Sequence, residues 1–253
     1  MIRKLETWTF LSQDDREALL ALPFTVKTIE AHHFIVREGD KPTNSCVLLS
    51  GLAYRHKVVA GGARQILSIH MTGDMVDLQN SLLGIADHNV QALTRSQVAL
   101  IPREAIKQIA FDRPAVGQAL WCDTLVDGSI FREWIANVGR RDARTRIAHL
   151  LCEFALRLEA AGLGNHIQWE LPMTQEQIAD CTGLTPVHVN RMFKTLELDG
   201  LITRTRRTVT VTDWSALAEA GDFDSAYLHL PEHKLAMTQH PSSPRPESQQ
   251  AQA

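Results

Sequence analysis

The sequence predicts an α+β protein: an N-terminal antiparallel β domain, a long connecting helix, and a C-terminal winged helix-turn-helix. Three observations carry this prediction. Short β-type runs recur from about Thr25 to Ile101, punctuated by Gly and Asp, a pattern that forms sandwiches or barrels. Residues 114–138 place apolar side chains at helical spacing behind a proline, which is tolerated at a first helical position. Residues 171–212 read as two short capped helices followed by a β-branched, basic hairpin.

In chain order, Ser12 can cap a helix from Gln13 to about Ala21, which Pro23 closes. The β-type runs are Phe34–Val36, Cys46–Leu49, Ala53–Val59, Ile66–His70 and Asn89–Ile101, and a Gly-Asp pair recurs at 39–40 and 73–74. The helix of residues 114–138 carries Val116, Leu120, Leu125, Val126, Ile130, Phe131, Trp134 and Ile135 on more than one face. The pattern alone leaves two readings, a helix buried within one subunit or one that also meets an identical partner. The chain divides into a β domain with flanking short helices (1–113), the helix (114–138), the winged domain (139–230) and a Pro-, Ser- and Gln-rich tail (231–253) expected to be disordered.

Within the winged domain, Thr174 and Gln177 have capping-box spacing, with Met173 and Ile178 placed as a hydrophobic staple. Gly183 ends that helix in a conformation that a Cβ resists. Thr185 caps the second helix and Pro186 occupies its first position; Val189, Met192, Phe193 and Leu196 face inward, which turns His188, Asn190, Arg191 and Lys194 outward. The run TRTRRTVTVT (203–212) alternates β-branched and basic residues, with Arg206 and Arg207 near the tip. From Thr185 to Thr212 five basic residues (Arg191, Lys194, Arg204, Arg206, Arg207) face two acidic ones (Glu197, Asp199), although the chain's net charge is -3. Such a local patch suits contacts with phosphates.

Composition excludes more than it selects. The length of 253 residues with 44% hydrophobic content can build two small cores. No apolar run approaches the ~20 residues that span a bilayer, and MIRKLETWTFLSQDDRE lacks a signal peptide's apolar segment. A cytoplasmic protein without a membrane partner is expected. Cys46, Cys122, Cys152 and Cys181 are scattered without metal-ligand spacing, as buried thiols would be. Cys181, inside the first helix of the pair, reads as a core residue, with oxidation sensitivity as the alternative. No nucleophile elbow, phosphate loop or metal motif is present, and Asp87-His88 lacks a third group, so an enzyme is not expected.

Taken together, these stretches resemble the Crp/Fnr family of bacterial transcription regulators. TPVHVNRMFKTLELDGLI (185–202) is similar to the family's recognition helix and following turn. GRRDARTRIAHLLCEFALRL (139–158) resembles its hinge, at Gly139, and first DNA-binding-domain helix; Asp213-Trp214 through Leu217 resembles the helix after the wing. The resemblance spans residues 10–230 and implies a jelly-roll sensor domain related to cyclic-nucleotide-binding domains. It also implies a parallel homodimer with Val116, Leu120, Ile130, Phe131 and Trp134 at the seam. Double-stranded DNA is the implied partner, read as an inverted repeat, with RNA polymerase a further partner if the protein activates.

By the same resemblance Arg191 meets guanine O6 and N7. Asn190 and His188 approach bases, Thr185 and Val187 lie at the DNA-facing start of the helix, and Lys194, Arg204, Arg206 and Arg207 mainly contact phosphates. Val187 departs from the family pattern, which has a glutamate there that accepts from cytosine; a valine cannot accept. In the cyclic-AMP-binding branch a Gly-Glu pair holds the ribose and an Arg with Ser or Thr holds the phosphate. Here Asp77-Leu78 and His88-Asn89 stand in those places, and neither Leu78 nor His88 can do that work. The iron–sulphur branch needs an N-terminal cysteine set, yet none precedes Cys46. The expectation is therefore a member with no cofactor, binding DNA without cyclic AMP. The alternative is gating by haem or another small ligand, with His32, His33, His56, His70 and His88 in the sensor region.

Overall fold

The computed structural model describes residues 1–230, and the stretch 231–253 lies outside the described residues. Strands are numbered in chain order. β1 (Thr25–Ile29), β7 (Ser96–Pro102) and β3 (Asn44–Ser50) make one sheet, in that order; β2 (Phe34–Val36), β6 (Asn89–Ala92), β4 (Ala53–Val58) and β5 (Arg64–His70) make the second. The pairings are antiparallel. The single β-run expected from Asn89 to Ile101 is two strands in different sheets. Its break is held where Leu93 and Thr94 N–H donate to the Leu52 carbonyl and Thr94 Oγ1 accepts from Leu52 N–H.

The pleat separates two cores. Cys46, Leu48, Val76, Val90 and Val98 fill the space between the sheets. Val47, Ala99 and Ile101, alternate to these, pack on the opposite face with Leu5, Leu11, Leu19, Ile106 and Val116. That outer face is covered by α1 (Ile2–Leu5), α2 (Gln13–Leu20), α4 (Arg103–Asp112) and the start of α5 (Pro114–Arg140); α3 (Asn80–Leu83) lies between β5 and β6 in sequence. At α2 the Ser12 hydroxyl accepts from Asp15 N–H and the Asp15 carboxylate accepts from Ser12 N–H. α4 had no clear sequence signal. Gly117 permits its close packing on α5, since a Cβ there would lie 2.4 Å from the Ala110 carbonyl oxygen.

α5 runs unbroken through Gly139, so the change of direction falls at Arg141 and Asp142, one turn-residue pair beyond the expected hinge. The side chains expected at a dimer seam make contacts within their own chain. Val116, Leu120, Ile130 and Trp134 are buried within the single chain, Trp134 donating its indole N–H to Glu153 Oε2 at 2.8 Å. Phe131 is half-buried beneath the Arg55 guanidinium, 5.2 Å from the ring centroid. The surface α5 leaves outward carries Trp121 at 68%, Leu125 at 55% and Ile135 at 73% exposure, positions that share one stripe at three- and four-residue steps through Gly128 and Arg132.

α6 (Ala143–Ala160) is capped by Asp142, whose carboxylate accepts from Thr145 N–H at 2.9 Å. It forms the floor of the C-terminal domain under α7 (Gln175–Thr182), α8 (Pro186–Leu198) and α9 (Trp214–Ala220), beside a sheet of β8 (Gln168–Glu170), β10 (Thr208–Val211) and β9 (Ile202–Thr205) in that order. The two halves share a core: Tyr54, Ile66 and Ile69 of the second sheet and Met71 just after it pack with Ile147, Leu151, Phe154 and Ile178. Polar contacts secure this junction. Arg64 Nε meets Asp180 Oδ2 at 2.7 Å, Gln65 Nε2 donates to the Asp180 carbonyl at 2.7 Å, and Arg157 Nη2 donates to the Ile69 carbonyl at 2.6 Å.

Candidate nucleic-acid interface

The helix pair is set by local chemistry. Thr174 Oγ1 accepts from Gln177 N–H at 3.2 Å while Gln177 Oε1 accepts from Thr174 N–H at 2.9 Å, closing the capping box at the start of α7. Gly183 ends it at φ 65°, and Arg146 Nη1 donates to the Thr182 carbonyl at 3.0 Å, satisfying an acceptor that the helix end leaves open. Thr185 caps α8 through His188 N–H at 3.3 Å. Val189, Phe193 and Leu196 anchor α8 to the core. Their periodicity leaves Thr185, Val187, His188, Arg191 and Lys194 exposed and Asn190 half-buried.

The basic residues do not share one environment. His188, Arg191 and Lys194 make no ion pair among the described residues, and they lie on successive turns of one face. Arg204 is different: its Nε and Nη2 donate to the two Glu197 carboxylate oxygens at 3.0 Å each, and its guanidinium lies 4.3 Å from the Phe193 ring centroid. That bidentate bond outweighs the opposing effect of partial burial and, with the positive charge of Arg204, holds the Glu197 carboxyl below the ordinary range. Arg204, expected to contact phosphate, is here paired with Glu197 and braces the wing against α8. The sequence signal was a basic residue seven after an acidic one across a turn, and charge counting could not show that the two neutralise each other.

Arg206 and Arg207 form the exposed turn between β9 and β10, Arg206 at φ 56°. A non-glycine residue in the left-handed region costs of order 1 kcal/mol or more, so this charge is held at the tip against local preference. Replacing both by glutamine is expected to weaken DNA binding on every sequence and to reduce the slope of log affinity against log salt by about 2, near 0.9 for each phosphate contact. An unchanged slope in a salt titration would assign the wing a different role.

In the sensor half, the two places expected to hold a cyclic nucleotide's ribose and phosphate carry groups bonded within the chain. Asp77 accepts from Cys46 N–H at 2.7 Å within the barrel, and Leu78 packs with the outer core. His88 Nδ1 lies 2.5 Å from Asp87 and its Nε2 lies 3.2 Å from Gln79 Nε2. Burial, then the charge of Arg55, pushes the ring's pKa down. Arg55, buried in the same interior, donates Nη2–H to the Val76 carbonyl at 2.9 Å. The groups in the two expected places are thus tied to their own chain, and they do not fit a ribose and phosphate. An iron–sulphur cluster has no donor set either: Cys46, Cys152 and Cys181 are buried, with burial pushing each thiol up, and no group of three metal-ligating side chains occurs among the described residues.

Burial lifts the Asp77 carboxyl to about 7. A folded-state pKa raised above the unfolded value means stability present in acid and lost as pH rises from the ordinary carboxylate range through about 7. Asp77→Asn is expected to match the parent in urea unfolding near pH 4 and to exceed it at pH 8 by on the order of 2–4 kcal/mol. An equal gap at both pH values would contradict this.

A two-domain chain with a jelly-roll half, a long connecting helix and a braced, basic helix-turn-helix is the architecture of a DNA-binding transcription regulator. Comparison with known proteins agrees. Residues 26–113 match the cyclic nucleotide-binding domain family, and residues 145–220 match the Crp-like helix-turn-helix domain. The chain is 30% identical over 203 residues to the transcriptional activator protein FnrL of Cereibacter sphaeroides, covering 79% of this chain and 81% of that protein. It is 23% identical to the fumarate and nitrate reduction regulatory protein of Escherichia coli, covering 82% and 88%. Among solved structures, FixK2 from Bradyrhizobium japonicum superposes with a TM-score of 0.72 at 23% identity, covering 79% and 98%, and shows the same fold. The chain belongs to the Crp/Fnr family of transcription regulators, and it is not an enzyme. No helix among the described residues is long and apolar enough to cross a membrane.

Proposed function

We propose that the protein binds an inverted-repeat DNA site as a homodimer, without cyclic AMP, in the cytoplasm. The observation that carries this reading is the exposed and unneutralised face of α8, formed by His188, Arg191 and Lys194 with the half-buried Asn190 at its edge. Arg191 reads guanine through its forked N–H groups, Asn190 and His188 approach neighbouring base edges, and Lys194 with the wing arginines holds phosphates. Val187 is 81% exposed and offers only an apolar contact, suited to a thymine methyl. The dimer is supported by the stripe of Trp121, Leu125 and Ile135 on α5, too large an apolar surface to leave in water along one helix face. Two copies related by a twofold axis present two recognition helices to half-sites one helical turn apart, roughly 34 Å.

FnrL is named as an activator; by extension, RNA polymerase is the second macromolecular partner here. Arg191→Ala is the direct test of the reading face. It is expected to cost about 1–3 kcal/mol in affinity per contact and to relax specificity at one position of each half-site, measured by binding to sites varied base by base. Uniform loss across all variants would make Arg191 a phosphate contact. Asp77, Leu78 and His88, held by their own chain where a ribose and phosphate would bind, favour binding without cyclic AMP, so added cyclic AMP should leave the affinity unchanged.

A further inference from the structure

Outside the barrel, on the face of β3 and β7 opposite the interior, lies a cavity of about 720 Å³. Its position follows from the pleat: Cys46 and Leu48 point into the barrel core, whereas Val47 and Leu49 line the cavity. Leu19 and Leu22 of the α2 region, Ile101 of β7 and Ile130 of α5 supply further apolar wall. Arg157 of α6 and Leu228 complete it, so the barrel, the long helix and the DNA-binding domain all touch this one space. The size lies within the roughly 300–1,000 Å³ range of small-molecule sites, which combine apolar walls with a few polar groups.

The polar groups discriminate between ligand classes. Lys4 Nζ is neutralised by Asp74 at 2.9 Å and Asp123 at 2.8 Å, Arg16 by Glu6 at 2.7 Å, and Arg157 by Glu153 at 3.1 Å. Arg3, exposed at the cavity's edge, has no ion pair among the described residues. Trp8 also lines the cavity, with its indole N–H itself buried out of a ligand's reach. A fixed positive charge beside an apolar chamber is complementary to one anionic head on an aliphatic body. No histidine lines the space, which removes the usual axial ligand for haem.

We propose that this cavity is a binding site for a small aliphatic carboxylate, with the head at Arg3 and the chain against Leu19, Val47 and Leu49. The claim stands independently of the DNA reading, because its test needs no DNA. Decanoate and the neutral decanol serve as probes in calorimetric titrations of the full-length protein. Decanoate is expected to bind once per chain with Kd on the order of 10–100 μM, given ordinary ligand efficiencies. Leu49 is 41% exposed, so Leu49→Trp narrows the chamber without hollowing the core and should weaken binding at least tenfold with unchanged Tm. Leu20→Trp blocks it from the opposite wall should the first variant fold poorly. Arg3→Glu should weaken decanoate and leave decanol unaffected. Absence of saturable binding, or full affinity in both tryptophan variants, would overturn the site; equal effects of Arg3→Glu on both probes would overturn the anionic class. Binding that emerges only after removal of residues 231–253 would give the cavity to the chain's own C-terminal segment and likewise overturn the proposal.

Discussion

Glutamate placed at both Trp121 and Ile135 is expected to convert the protein to a monomer and to abolish high-affinity binding to a full site. The two side chains are 68% and 73% exposed in the single chain. Burying each in a dimer returns roughly 1.5–3 kcal/mol per copy. The double variant removes that gain from both copies and puts four carboxylates into one seam, where like charges taken out of water repel strongly. Folding should survive, because neither residue belongs to the core that holds α5 to its own chain. DNA binding should fall by 10²–10⁴, since a tethered second recognition helix adds avidity of about that order. Sedimentation equilibrium reads the first effect and titration on full and half-sites the second. A variant that stays dimeric would move the interface off this stripe.

Asp74→Ala is expected to destabilise the fold by about 3–5 kcal/mol, the range for breaking a buried ion pair from one side. Asp74 is the meeting point of three elements. Its carboxylate faces Lys4 of α1 at 2.9 Å, Arg157 of α6 at 3.6 Å and the Met71 N–H at 2.9 Å, with His70 Nδ1 at 3.7 Å. Burial alone would raise its pKa, yet Lys4, the His70 contact and Arg157 together hold it well below the carboxylate range. A folded pKa depressed in this way gives stability that is present above the unfolded value and lost as pH falls through the folded one. The cost of Asp74→Asn should accordingly be full at pH 7 and shrink in acid, read by urea unfolding across pH. A pH-independent cost would assign the effect to packing.

The legibility of the fold tracked the range of the interactions involved. Caps at Ser12, Thr174 and Thr185 and the end at Gly183 are decided within four residues, and each was readable from the sequence. The barrel's strand count was not, because Leu93 to Arg95 carry no break signal and the sheet change depends on Leu52, some forty residues away. Which face of α5 meets its own chain was equally hidden. Val116 and Trp121 are both apolar; only Glu153, accepting from the Trp134 indole and the Tyr227 hydroxyl at 2.8 Å each, reveals that Trp134 is an inward anchor. In the candidate site, helix periodicity placed the α8 face, whereas Arg204 required knowledge of Glu197 across the turn. Arg64 and Gln65, which dock α7 onto the barrel, gave no local signal, since Asp180 lies more than a hundred residues on.

The central claim is symmetric, sequence-specific DNA binding by two copies. Its most direct measurement is selection of bound fragments from a random duplex pool by the purified protein with nothing added, at a stated salt concentration, with the stoichiometry of the winning complex determined. The account predicts an inverted repeat whose half-site centres lie about 10–10.5 base pairs, or a multiple of that, apart, bound by two chains. Recovery of a single asymmetric half-site bound by one chain, or of no sequence above background, would contradict it.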